Sequence, residues 1–147
     1  MKRASAYLRT NGWFLSAVSR TTVGIGMDTP PRIKVEANAS DATLGEAVLQ
    51  ALSGSREGVP HPDPKTADRS FDEMLDLAGV KSWAAFAKNA LNVGTETDGE
   101  WLVIEPWKNE GAKRGFTQIA NRNVRVRADA SPSEIGAALK SAIELCE

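Results

Sequence analysis

Four carboxylates close together in the sequence are the first residues whose types and spacing could do chemistry: Glu96, Asp98, Glu100 and Glu105. Two carboxylates act as general acid and base when burial raises the pKa of one of them. Asp98-Gly99 is typical of a hairpin turn, and no apolar pocket is evident beside it, so solvated acids are the favoured interpretation. A carboxylate-based hydrolase stays a hypothesis that requires a deep pocket holding two of these acids.

Other catalytic or metal-binding groups are scarce. Cys146 and His61 are the single cysteine and histidine, whereas a structural zinc site takes about four Cys or His ligands. Cys146 falls on the apolar side of a predicted terminal helix, and His61 lies in a proline-rich loop. Gly24 and Gly26 form a Gly-x-Gly pattern without the third glycine of a dinucleotide-binding loop. We therefore predict no catalytic residue, no cofactor, no metal and no small-molecule ligand.

Composition indicates an ordinary globular chain. Its 147 residues, 41% hydrophobic and 25% charged, predict one domain over residues 1–147. The net charge of −1 argues against a nucleic-acid binder held by bulk charge. No apolar run approaches the ~20 residues of a membrane helix. Arg9 interrupts the short apolar start, so we expect no export signal and a cytoplasmic location.

Charge is unevenly distributed along the chain. Residues 28–76 carry ten acidic and five basic side chains, and residues 108–127 carry six basic and one acidic. Electrostatic steering of a basic partner is one use of the acidic stretch. We predict that the partner-binding residues, called the acidic surface below, are Asp63, Asp68, Asp72, Glu73 and Asp76. The alternative is a nucleic-acid-binding module in the 108–127 segment that uses Lys113, Arg114, Phe116, Arg125 and Arg127.

Hydrophobic periodicity and turn residues predict the elements that must position these groups. Strands are expected at 13–18, 21–27, 33–37, 93–97, 100–105, 116–119 and 123–128, with a proline turn at 28–31. The strand at 100–105 is expected to be covered on both faces. Helices are expected from Ser40 or Asp41, at 71–78, from Ser82, and at 133–145. Residues 53–70, rich in glycine and proline, form a long polar loop.

An internal repeat organises the chain. Residues 32–52 match residues 123–143 without a gap at an offset of 91, and Gly45 aligns with Gly136. Each copy reads as a strand, a capped turn and a helix, and we expect a close approach of helix to sheet at each glycine. The predicted fold is a single α+β domain of two βββα-like halves. Its sheet is mixed or largely antiparallel, with helices packed mainly on one face.

Three segments carry a family resemblance. Residues 41–56 resemble the Leu-Gly-x-Ala-(aliphatic)-x-x-Ala-Leu-x-x-Ser-Arg helix of the immunity proteins of bacterial contact-dependent growth inhibition, the CdiI family. Residues 103–106 and 133–139 are similar to further features of that family.

The resemblance implies a non-catalytic, cytoplasmic antitoxin that binds the C-terminal toxin domain of a CdiA-type protein. Toxins of this kind are commonly nucleases. Interface residues differ between family members, so the resemblance assigns none here. We therefore expect an immunity protein whose partner is a protein and which acts without membrane or cofactor.

Overall fold

Seven antiparallel strands form one sheet in the computed structural model, which describes residues 1–63 and 71–147. The strands are β1 (Lys2–Arg9), β2 (Gly12–Arg20), β3 (Gly26–Val35), β4 (Leu91–Thr97), β5 (Trp101–Asn109), β6 (Phe116–Gln118) and β7 (Val124–Arg127). Their order is β3-β2-β1-β4-β5, and β6 and β7 pair with opposite ends of β5. The helices are α1 (Asp41–Ser53), α2 (Asp72–Ala78), α3 (Trp83–Ala87) and α4 (Pro132–Ile143). The predicted α+β class with an antiparallel sheet is confirmed.

The two predicted halves correspond to two meanders. β1, β2 and β3 precede α1, while β4, β5 and β7 precede α4, and the halves meet where Ser5 of β1 lies opposite Gly94 of β4. Both long helices begin at a serine cap. The Ser40 hydroxyl accepts from the Thr43 amide, and Ser131 accepts from Glu134, so each satisfies an orphan amide of the first turn.

The aligned glycines serve a helix–helix contact, which corrects the expected helix-to-sheet contact. A Cβ on Gly45 would lie 1.8 Å from the Pro132 carbonyl oxygen, and one on Gly136 would lie 1.8 Å from that of Asp41. Each glycine therefore admits the first turn of the opposite helix. Since a methyl group would overlap backbone there, these positions exclude any side chain.

The sheet separates two apolar clusters. Trp13 and Leu15 of β2 point to the face where α1 and α4 complete the main core. Phe14 points to the other face, where it packs with Met74 of α2 and Phe86 of α3. The long helices thus share one face, and the short helices cover one end of the other.

Three expectations about strands are wrong. Residues 28–31, expected as a turn, lie inside β3, where the two prolines occupy a register shift of an edge strand and have no paired residue in β2. Residues 21–25 form a turn, with the Thr21 amide bonded to the Ile25 carbonyl, and strand structure resumes at Gly26. The strand within 100–105 is fully buried on one face only, through Leu102 and Ile104.

One strand, β1, was not predicted. Its core-facing residues include Ala4 and Ala6, whose small side chains give a weak alternating signal. Among the helices of the described ranges, none has the length and apolar character needed to cross a bilayer.

Candidate functional site

Three of the five residues predicted for the acidic surface lie on α2. Asp72, Glu73 and Asp76 are all exposed there. Two of them occupy the first turn, where negative charge is stabilised by the helix dipole. The last turn of α2 carries no basic residue, so the helix presents net negative charge. It ends at Gly79, whose φ of +73° suits a left-handed cap.

An aromatic cluster fixes the position of α2. Met74 is fully buried against Phe14 and Phe86 on the second face of the sheet. Tyr7 of β1 contacts Phe71 and Phe86 edge to face, with ring centroids 6.2 and 5.1 Å apart. Edge-to-face contacts of this kind add specific geometry to apolar burial. The acidic residues of α2 therefore stand on a rigid base.

A charged contact also ties α2 to β3. Arg32, with a side chain only 4% exposed, places Nη1 3.7 Å from Glu73 Oε2 and Nη2 2.8 Å from Asp28 Oδ1. The Ser16 hydroxyl donates to Asp28. Burial raises the pKa of Asp28, while Ser16 and Arg32 oppose this increase. The positive charge of Arg32 partly offsets the negative charge of Glu73. The charges of Asp72 and Asp76 on α2 are therefore less compensated than that of Glu73.

The other two acidic-surface residues are not on this helix. Asp63 is exposed and follows the segment in which Val59 bridges to Thr21. Asp68 lies outside the described residues. The structure therefore brings together Asp72, Glu73 and Asp76, and the joint surface of all five stays a prediction.

The four hairpin carboxylates divide between two places: Asp98 and Glu100 lie at the turn, and Glu96 and Glu105 share a groove. Asp98 Oδ1 accepts the amides of Glu100 and Trp101, both at 2.9 Å, and these hydrogen bonds lower its pKa. Glu100 lies 3.5 Å from Arg127 on the next strand. Glu96 and Glu105 line an open groove of about 290 Å³ on the sheet. Burial raises the pKa of Glu105, as does the charge of Glu96.

The basic segment is only partly engaged within the molecule, because Lys113, Arg114, Arg125 and Arg127 are all exposed. The ring of Phe116 packs against Tyr7 and Trp83, at centroid distances of 5.6 and 6.1 Å, so it is not a free stacking platform. The guanidinium groups of Arg125 and Arg127 lie 4.1 and 4.9 Å from the Trp101 ring centroid. Such cation–π contacts orient the two guanidinium groups and leave their positive charge in place. The packing of Phe116 removes the expected stacking residue, and the nucleic-acid alternative stays a prediction that rests on the exposed basic side chains.

Comparison with known proteins decides the family. A model of the family described as CdiI, CDI immunity protein, matches residues 4–146. The chain belongs to this family of immunity proteins. An immunity protein of this family is an inhibitor and not an enzyme, so the hairpin carboxylates need no catalytic role.

Individual relatives agree with this family. The chain is 27% identical to the immunity protein CdiI-YPIII of Yersinia pseudotuberculosis, with 75% of each sequence covered. Two solved structures share its fold. A Neisseria meningitidis protein of unknown function has a TM-score of 0.82 and 24% identity, covering 99% of this chain and 95% of its own. A CdiA-CT/CdiI toxin and immunity complex from Y. pseudotuberculosis has a TM-score of 0.80 and 22% identity, covering 99% and 97%.

The two other reactive side chains considered from the sequence, Cys146 and His61, contact neighbouring residues in this CdiI family member. Cys146 is half-buried, with Sγ 3.2 Å from the Asn92 carbonyl oxygen, and burial raises the pKa of its thiol. His61 Nδ1 lies 3.3 Å from Thr21 Oγ1. Within residues 1–63 and 71–147, no group of three or more His, Cys, Asp or Glu side chains is placed to hold a metal ion.

Sequence reasoning missed the part of the sheet face formed by β4, β5 and β6, called the open face below. Trp107 of β5 lies across Gly94 of β4, where a Cβ would come within 2.9 Å of the indole nitrogen. A glycine inside a strand often marks such a close approach. The sequence signal for this face was Gly94 within one predicted strand, followed by a strand that carries two tryptophans, Trp101 and Trp107.

Proposed function

We propose that this chain binds the C-terminal toxin domain (CdiA-CT) of a contact-dependent growth inhibition system and neutralises it by protein–protein contact in the cytoplasm. The observation that carries the proposal is the match of the CDI immunity family to residues 4–146. The fold shared with a CdiA-CT/CdiI complex supports it. All 147 residues act as one immunity domain in this proposal.

Inhibition by this route requires a stable protein–protein interface and no chemical reaction. A specific complex buries about 1,600 Å² in total, which a domain of this size can present on one side. Complementary charge raises the association rate of such complexes and selects the partner. An immunity protein benefits from both effects because it must capture the toxin before the toxin reaches its target.

The acidic surface is the proposed contact for a basic toxin, which we propose to be a nuclease. Asp72 and Asp76 support this because they are exposed on a helix without a basic last turn. A nuclease carries basic residues that bind phosphates. An acidic helix seated there would compete with the nucleic acid for the same charges.

Co-expression tests the function directly. The CdiA-CT domain encoded beside this chain is induced with and without the chain, and both growth and co-purification are scored. We expect growth rescue together with a complex that survives affinity purification. The matched control is an unrelated CdiA-CT domain, which the chain should not neutralise. Absence of both rescue and co-purification with the neighbouring toxin contradicts the proposal.

A further inference from the structure

The open face exposes two adjoining grooves in the described residues. The first, of about 290 Å³, runs across β1, β4 and β5, and its lining includes Ser5, Asn92 and Gly94. The second, of about 380 Å³, lies between β5 and the chain that follows β6. α2 and α3 stand beside the grooves, over Tyr7 and Phe14. The grooves are therefore accessible to a partner without movement of a helix.

Glu105 lies where the two grooves meet. It lines both of them together with Gln118, whose Nε2 donates to Glu105 Oε2 at 3.3 Å. In the sheet register, Glu105 is opposite Gly94, so no side chain from β4 covers it there. Trp107 forms a neighbouring wall of the first groove. A carboxylate and an aromatic ring thus lie side by side on one accessible surface.

Among the described residues the carboxylate of Glu105 has no ion-pair partner, although the two glutamates and two arginines that line the first groove balance in number. In the second groove it is the one charged side chain among the described lining residues. In the first groove, Glu96 adds a second negative charge, and Arg3 is bound to Glu57 at 3.2 Å and to Glu96 at 3.6 Å. Arg20 also lines this groove, but its strand β2 is three strand spacings from β5, about 14 Å. No ion pair to Glu105 is formed within the described residues.

We propose that a lysine or arginine side chain of the toxin enters this groove and pairs with Glu105. A cation there is complementary to Glu105, since Glu96 is already paired with Arg3, and its aliphatic stem packs on the Trp107 ring. Gln118 holds the carboxylate in place for the incoming group. This contact is separate from the acidic surface, and it rests on the proposed function because the occupant belongs to the toxin.

Calorimetry with purified components tests the pairing. The affinity of the wild-type chain for the CdiA-CT domain encoded beside it is compared with that of Glu105→Gln, which keeps size and hydrogen bonding and removes the charge. We expect the Kd to rise roughly tenfold or more, as for other partly buried charge pairs. Glu46→Gln, on the exposed side of α1, is the matched control and should bind as the wild type does.

A spectroscopic measurement separates pairing from a general loss of fit. The side-chain carboxyl of Glu105 is titrated by NMR in the free and toxin-bound chain, and its pKa should fall in the complex because the cation favours the ionised form. Equal affinity of Glu105→Gln and wild type for the toxin, or an unchanged pKa of Glu105 in the complex, overturns this inference but not the proposed function. A wild-type chain that does not bind the toxin overturns both this inference and the proposed function.

Discussion

Gly45 and Gly136 occupy equivalent positions in α1 and α4, and each faces a carbonyl in the first turn of the other helix. The contact is reciprocal, since Gly45 approaches Pro132 and Gly136 approaches Asp41. Next to it, Lys140 Nζ lies 2.7 Å from Asp41 Oδ1 and donates to the Ala39 carbonyl at 2.9 Å. The crossing point therefore joins the two halves of the sequence repeat.

Replacing Gly136 with alanine should destabilise the fold strongly. The new methyl would lie 1.8 Å from the Asp41 carbonyl oxygen, so the helices must separate, at a cost of about 3 kcal/mol or more. Chemical denaturation measures the free energy of unfolding. Gly26→Ala is the control, because its methyl would meet only Val18 at 3.6 Å. A loss no larger than that of the control would contradict the close crossing.

Reversing charge on α2 should slow toxin capture. In the double variant Asp72→Lys with Asp76→Lys, we expect the association rate constant to fall by about tenfold at low salt, because steering depends on long-range charge. The difference should shrink as salt is added. Stopped-flow fluorescence measures the rate, and Glu46→Lys on α1 serves as the control. Unchanged association at low salt would place the contact elsewhere.

The single tyrosine, Tyr7, should ionise only at very high pH. Burial raises its pKa to about 12, an increase partly opposed by a hydrogen bond with Ser5. The folded state then holds the phenolic proton more tightly than the unfolded state, so the free energy of unfolding falls as pH rises from 10 towards 12. Ultraviolet difference absorbance follows the phenolate directly. Tyr7→Phe should lack both the signal and this part of the pH dependence, whereas wild-type ionisation near pH 10 in the folded chain would contradict burial.

Glu105 should slightly destabilise the free chain at neutral pH. Burial and the Glu96 charge raise its pKa above 4.5, so the folded state binds the proton more tightly. This preference lowers the free energy of unfolding as pH rises past 4.5, and solvent screening keeps the effect small. Glu105→Gln should therefore equal or exceed the wild-type stability at pH 7, with the difference vanishing below pH 4.5. Thermal unfolding across this range measures it, and a less stable variant at pH 7 would contradict the assigned environment.

The repeat made much of the fold predictable, because Gly45 and Gly136 recur within strongly periodic helices with serine caps. The sequence did not predict the local geometry of the strands. The prolines of residues 28–31 are typical of a turn, and the edge position of β3 together with a register shift in its pairing makes them acceptable in a strand. The strand β1 was hidden because alanine carries little hydrophobic signal.

The candidate site was less predictable than the fold. Asp72 and Asp76 could be proposed from the sequence because a run of acidic residues is visible there, and their role in binding stays a prediction. The surroundings of Glu105 depend on Gly94 and Gln118, which lie on neighbouring strands and approach it only through strand pairing. The packing of Phe116 on Tyr7 was equally hidden, which is why a basic stretch with an aromatic resembled a nucleic-acid surface.

The helices α2 and α3, which lie between the repeated halves in the sequence, pack on the sheet face opposite the α1–α4 crossing. Substitutions on the outer side of α2 leave that crossing untouched, since Met74 and Ala78 alone of its residues are buried. The helix that carries part of the proposed toxin contact is thus physically separate from the crossing that holds the two halves together. Changes to its outer residues are therefore expected to alter binding while leaving the stability of the fold intact.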